Sequence, residues 1–150
     1  YAQDFEKGGE DRAYALYVLA RNGRAPSGEL RYYADTRVER FSTPLAKAQL
    51  GAALAMMGDK MRAERAFSAA IAALGTSDTS IARGDYGSIL RDGAALVTLA
   101  SEVGIAKDEA PRLVDVIAKA CSLQGLYGDA DVLHAGRPPS RTWQRDGWQS

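Results

Sequence analysis

Ala13-Tyr-Ala-Leu-Tyr-Val-Leu-Ala-Arg-Asn-Gly23 is an apolar helical run that reaches a Leu-Ala pair and then stops on glycine. Ala13, Leu16, Tyr17, Leu19 and Ala20 fall on one stripe at helical spacing, and Asn22-Gly23 supplies a left-handed exit. The ending returns in Leu50-Gly-Ala-Ala-Leu-Ala-Met-Met-Gly58 and again in Ala95-Leu-Val-Thr-Leu-Ala-Ser-Glu-Val-Gly104. Three such exits make the chain read as all-α, built from paired helical hairpins. The Leu-Ala pairs stand 35 and then 45 residues apart, at Leu19, Leu54 and Leu99. The longer interval marks an insertion, and the helical pattern lapses over Gly75 to Gly87.

Working outward, about six helices fit between Asp11 and Ala120. After the first, the chain turns through Arg24-Ala-Pro-Ser27. A second helix is expected from about Gly28 to Arg40, presenting Leu30, Tyr33 and Val38 to the core, with Phe41 leading out. Thr43-Pro44 opens the third, a capping hydroxyl followed by proline at the first helical position. Gly58-Asp59 ends it and caps the fourth, Lys60 to Leu74, whose core positions are Met61, Ala66, Phe67, Ala70, Ile71 and Leu74. The fifth, Ser88 to Val103, places Leu90, Ala94, Leu96, Val97, Leu99 and Ala100 inward. A sixth starts at Asp108-Glu109-Ala-Pro111, with two acids at the positive end of its dipole, and turns Leu113, Val114, Val116, Ile117 and Ala120 to the core.

Composition excludes several classes of function. Lys plus Arg equals Asp plus Glu at 19 each, which gives no electrostatic reason to expect nucleic acid or an anionic membrane as partner. No stretch approaches the roughly 20 apolar residues that cross a bilayer, so direct membrane insertion by this chain is not expected. The single cysteine, Cys121, excludes an internal disulfide framework. The chain begins at Tyr1 without an initiator Met or a signal-like segment, and part of a longer protein is expected.

No catalytic, cofactor-binding or metal-binding residues are assigned. The carboxylates Asp11, Glu29, Asp35, Asp59, Glu64, Asp92, Glu102 and Asp115 are scattered one or two per helix and read as solvated faces, caps and hairpin salt bridges. Asp108-Glu109 is a helix start with no histidine near it. Tyr14, Tyr17, Tyr32 and Tyr33 cluster in the first hairpin as packing and rim residues. Arg83-Gly-Asp85 matches an integrin-recognition tripeptide, yet three residues recur by chance and Asp85 reads as a turn or cap.

The run Asp11 to Pro26, then Leu30-Arg-Tyr-Tyr-Ala-Asp-Thr-Arg37, Thr43-Pro-Leu-Ala-Lys-Ala-Gln-Leu50 and Tyr86-Gly-Ser-Ile-Leu-Arg-Asp92, resembles bacterial alpha-2-macroglobulins. The resemblance covers about residues 10 to 120. It implies the later half of the thioester-type domain, an alpha/alpha toroid of paired helices, of which this chain would hold a part. It also implies a fragment of a broad-spectrum endopeptidase inhibitor that traps proteases and is not an enzyme. The parent would act in the periplasm, lipid-anchored to the inner membrane, with proteases and neighbouring macroglobulin domains as partners, and the isolated chain would be inactive. Thioester-bearing members carry Cys-x-Glu-Gln. Cys121-Ser-Leu-Gln124 repeats its spacing, but Leu123 replaces the acid, the family's motif precedes the Ala13 to Gly23 run, and the lone His134 lies in the tail; an ordinary cysteine at a helix end is the better reading.

Three regions follow: a lead-in at 1–10, a partial toroid at 11–120, and an unpatterned tail at 121–150. In the tail, Gly125, Gly128, Gly136, Gly147 and Pro138-Pro139 break the chain, and Trp143 and Trp148 sit among polar residues. GC-rich codons for Tyr127 to Arg137, read one base later, can encode the Thr-x-Thr-Gln continuation that the resemblance implies. The tail is therefore read as out of frame, with a genuine flexible extension as the alternative. For the whole chain the alternative is a tetratricopeptide-like interaction scaffold, since Leu50-Gly51, Leu54, Gly58, Ala63, Phe67 and Ala70 reproduce one unit. Only one unit fits: 34 residues earlier, Glu29 and Thr36 occupy the small positions.

Overall fold

The computed structural model describes residues 8–76, 89–105, 108, 110–115 and 117–119. Five α-helices follow one another: α1 (Glu10–Arg21), α2 (Ser27–Thr36), α3 (Pro44–Met56), α4 (Lys60–Thr76) and α5 (Ile89–Val103), with a 3₁₀ turn (Val38–Arg40) between α2 and α3. Residues 110–115 and 117–119 are also helical. The fold is all-α, and among the described residues there is no strand.

The three glycine exits share one hydrogen-bonding pattern. Arg24 N donates to Leu19 O (2.9 Å), Asp59 N to Leu54 O (2.9 Å) and Ile105 N to Ala100 O (3.0 Å), while Gly23, Gly58 and Gly104 donate to carbonyls three residues back. These are Schellman closures, and each glycine has a positive φ of 66°, 87° and 70° in turn. In the first two the outer acceptor is the Leu of the Leu-Ala pair. In the third it is the Ala, because that exit is one residue longer.

α3 touches α1, α2, α4 and α5, α2 touches α4, and α4 touches α5. The helices thus form two rows: α1, α3 and α5 in one, α2 and α4 in the other. Nine of the residues of α3 are buried, from Pro44 to Leu54, as expected of a helix apolar nearly all round. Its N-terminus is closed as predicted: Ala46 N donates to Thr43 Oγ1 (3.1 Å), with Pro44 in the first turn. Gly51 lets α4 come close, since a Cβ there would lie 2.9 Å from Phe67 Cδ2 and 3.2 Å from the Ala63 carbonyl.

Several expected positions shift. Leu19 is 40% exposed; Ala13, Leu16 and Ala20 centre the buried stripe, and Leu19 lies roughly 90° from that centre at about 100° per residue. Met61 (69%) and Val114 (56%) are exposed, and Ala94 is too. α2 stops at Thr36, with Arg37 N still donating to the Tyr33 carbonyl (2.9 Å) before the backbone tightens. The tighter 3₁₀ turn then brings Phe41 back into the core, its ring 5.8 Å from that of Tyr33 in an edge-on arrangement. α4 runs on past Leu74 through Gly75 to Thr76. Leu113 is buried as expected, whereas Val116, Ala120, Arg83 to Asp85 and the whole tail, with Cys121, Gln124, His134 and both tryptophans, lie outside the described residues. Among those described, no helix is long and apolar enough to cross a membrane.

Candidate functional site

The N-terminal ends of α1, α3 and α5 come together around an open cleft of about 200 Å³, lined by Glu10, Asp11, Tyr14, Thr43, Leu45, Ala46, Gln49 and Arg91. Its polar groups are already occupied in part. Ser42 Oγ donates to Glu10 Oε1 (2.7 Å) and Thr43 Oγ1 serves as the α3 cap. Arg91 meets the Asp92 carboxylate at 3.2 Å. The lining contains no histidine or cysteine, and the Ser42 hydroxyl is hydrogen-bonded to one of its carboxylates. Among the described residues, no group of three or more His, Cys, Asp or Glu could hold a metal.

The richest electrostatics lie between α2 and α4. Arg62 Nε donates to both oxygens of Asp35 (2.9 and 3.0 Å), and its Nη1 donates to Asp59 Oδ2 (2.9 Å). Arg31 meets Asp59 at 3.4 Å and Arg65 meets Asp35 at 3.7 Å, so charges alternate Arg31, Asp59, Arg62, Asp35, Arg65. This order shows that α2 and α4 run in the same sense. Arg62's hydrogen bonds hold the Asp35 carboxyl below the ordinary range. At Asp59 burial works against the charge, yet hydrogen bonds from the Arg62 side chain and backbone outweigh it and the carboxyl is also lowered. Asp59 caps α4 as expected, accepting from Arg62 N (3.3 Å).

A second link joins the C-terminal ends of α1 and α5. Tyr17 donates to Glu102 Oε2 (2.9 Å), and Arg21 meets Glu102 Oε1 at 3.5 Å. Burial and the neighbouring Glu102 carboxylate push the Tyr17 phenol up. Of the other tyrosines, Tyr33 is core, while Tyr14 (58%) and Tyr32 (40%) form rims.

Most of the carboxylates are the salt bridges, caps or solvated groups expected: Glu29, largely buried, pairs with Arg12 (3.3 Å) and exposed Asp115 with Lys119 (2.7 Å). Asp92 departs from this. Its side chain is completely buried on the core face of α5, against Arg91. Charge alone suggested solvent, and only the period shared with Leu96, Leu99 and Ala100 hinted otherwise. Lys47, which sequence reasoning passed over, is buried too and reaches Glu39 on the 3₁₀ turn (2.8 Å). These groups stitch helices together; the structure gathers them into no catalytic constellation.

The architecture finds its counterparts among known proteins. The chain is 40% identical over 108 residues to alpha-2-macroglobulin of Escherichia coli (strain K12), which covers 72% of this chain and 6% of that protein. A Xylella fastidiosa (strain Temecula1) alpha-2-macroglobulin is 38% identical over 96 residues, 64% of this chain and 6% of that one. The crystal structure of native E. coli alpha-2-macroglobulin from domain MG7 to the C-terminus superposes with a TM-score of 0.61 at 38% identity, covering 71% of this chain and 17% of that one. The chain's homologues are bacterial alpha-2-macroglobulins. No family model matches. The chain spans about 6% of the length of these curated alpha-2-macroglobulins, so what it shares with them is one segment.

Proposed function

We propose that this chain is a structural segment of a bacterial alpha-2-macroglobulin, a broad-spectrum endopeptidase inhibitor that traps proteases. In this reading it is part of the thioester-type alpha/alpha toroid, it performs no enzymatic reaction, and the isolated chain does not inhibit. The observation that carries the reading is the joint agreement of sequence and fold with the E. coli structure running from MG7 to the C-terminus. Two solved structures are of E. coli alpha-2-macroglobulin activated by porcine elastase and by trypsin, which supports proteases as partners of the parent. The two-row arrangement, with α1 and α5 aligned at their C-terminal ends and α2 parallel to α4, is the order of paired layers that a toroid repeats. A periplasmic location with a lipid-anchored parent completes the proposal and rests on the family resemblance alone.

The test is a chimera. Replacing the matched stretch of the E. coli relative with residues 9–105 of this chain should leave elastase capture intact in a gel-shift assay. A chimera that folds and no longer captures elastase would overturn the proposal. The isolated chain, added to elastase and trypsin, should leave their activity unchanged.

A further inference from the structure

The outer face of α2 and α4 carries an arginine surplus created by the fold rather than by composition. Two acids of this layer are engaged with the other row: Glu29 pairs with Arg12 of α1 and Glu39 with Lys47 of α3. Asp35 and Asp59 remain between the two helices, where three guanidiniums share them, and exposed Glu64 lies further round α4. Arg62 takes the best geometry on both carboxylates, leaving Arg31 and Arg65 at the ends of the row with longer contacts of 3.4 and 3.7 Å and 60% of each side chain exposed. Arg37 extends the charge to the end of α2, its guanidinium 6.0 Å from the centre of the Tyr32 ring and its Nε donating to the Tyr32 hydroxyl (3.3 Å). The Tyr32 phenol is lowered, first by this hydrogen bond and also by the charges of Arg37 and Arg40. Exposed Tyr32 and Met61 add apolar contact area, and aromatic residues, Met and Arg are the side chains enriched where proteins meet.

We propose that this face is a docking surface for an acidic segment of a protein partner, its carboxylates paired with Arg31 and Arg65 and with Tyr32 and Arg37 at the edge. Arginine suits this role because its planar fork accepts a carboxylate in two parallel hydrogen bonds. The exposed arms supply attraction and register, and the Arg62 centre holds the two helices at fixed spacing. The proposal does not depend on the macroglobulin reading.

The experiment is fluorescence anisotropy with the full 150-residue chain and labelled oligo-glutamate, with oligo-lysine and heparin as comparisons. The expected result is saturable oligo-glutamate binding that weakens with added salt and is absent for oligo-lysine. Arg31→Glu with Arg65→Glu should weaken it about tenfold or more, as reversed interface charges do. Arg24→Glu, at the α1 exit, should leave it unchanged. Circular dichroism checks helicity, and should the reversal pair unfold, Arg31→Gln with Arg65→Gln is read in its place and should also weaken binding. Absence of saturable binding, or equal affinity in the Arg31 and Arg65 variants, overturns the proposal. Heparin binding as tight as oligo-glutamate overturns it in favour of a general polyanion surface, and self-association lost in the same variants overturns it in favour of a contact between copies.

Discussion

Gly51 sits where two helices have no room for a side chain. A Cβ would press on the Phe67 ring and on the Ala63 carbonyl; the ring can shift but the backbone oxygen cannot. Gly51→Ala should therefore destabilise the chain by about 1–3 kcal/mol, the range for overpacking, as measured by urea unfolding. Adding Phe67→Leu should recover part of that loss, because the two sites share one contact. Asp35 gives a different residue-scale test. Arg62's hydrogen bonds lower its pKa, so its contribution is present above about pH 4, the unfolded carboxylate range, and disappears as pH falls through the folded value. Asp59 behaves in the same sense, with Arg62 and Arg31 as its facing cations. Asp35→Asn should lower stability at pH 7 and flatten the decline between pH 4 and pH 2, which denaturation midpoints across that range would check. Little of this was legible in the sequence. The Asp35–Arg62 pair joins residues 27 apart, and nothing periodic announces a contact set by tertiary packing. Asp92 and Lys47 were misjudged or missed for a related reason: charged residues default to solvent, and their burial depends on neighbours in other helices.

At the scale of the element, local chemistry was far more readable. The Thr43-Pro44 start, the Asp59 cap and the three glycine exits are each decided within about six residues, so sequence alone places them. Thr43→Ala removes the side-chain acceptor for Ala46 N and should cost about 1 kcal/mol, the ordinary value of an N-cap. Because α3 touches every other named helix, the loss should appear as a lower midpoint of the whole transition rather than as fraying of one end. The expected face of each helix was right at its centre and wrong at its edges. Leu19, Met61 and Val114 are apolar side chains near a stripe whose width depends on how many neighbours a helix has. α2 fell short because the backbone tightens into the 3₁₀ turn at Val38–Arg40.

For the whole molecule, sequence supplied the class and the hairpin order, while the two-row arrangement emerged only from which helices touch. α3 is covered on all sides, whereas α1 leaves Tyr14 (58%), Val18 (39%) and Leu19 (40%) in the open. A short layer of helices with an open flank has limited apolar burial to set against chain entropy. The isolated chain should therefore unfold over a broad temperature range and aggregate as concentration rises. A sharp, concentration-independent calorimetric transition of a monomer would count against this.

The longer third exit changes the direction in which the chain leaves its row. One extra residue rotates the departure by about 100° around the helix axis. After the first two glycines comes a charged residue, exposed Arg24 and half-buried Asp59, but after Gly104 comes Ile105, which is buried. α5 thus ends with the residue past its glycine turned into the core. A single inserted position works here as a steering angle, aiming the first residue beyond the helix at the core instead of at solvent.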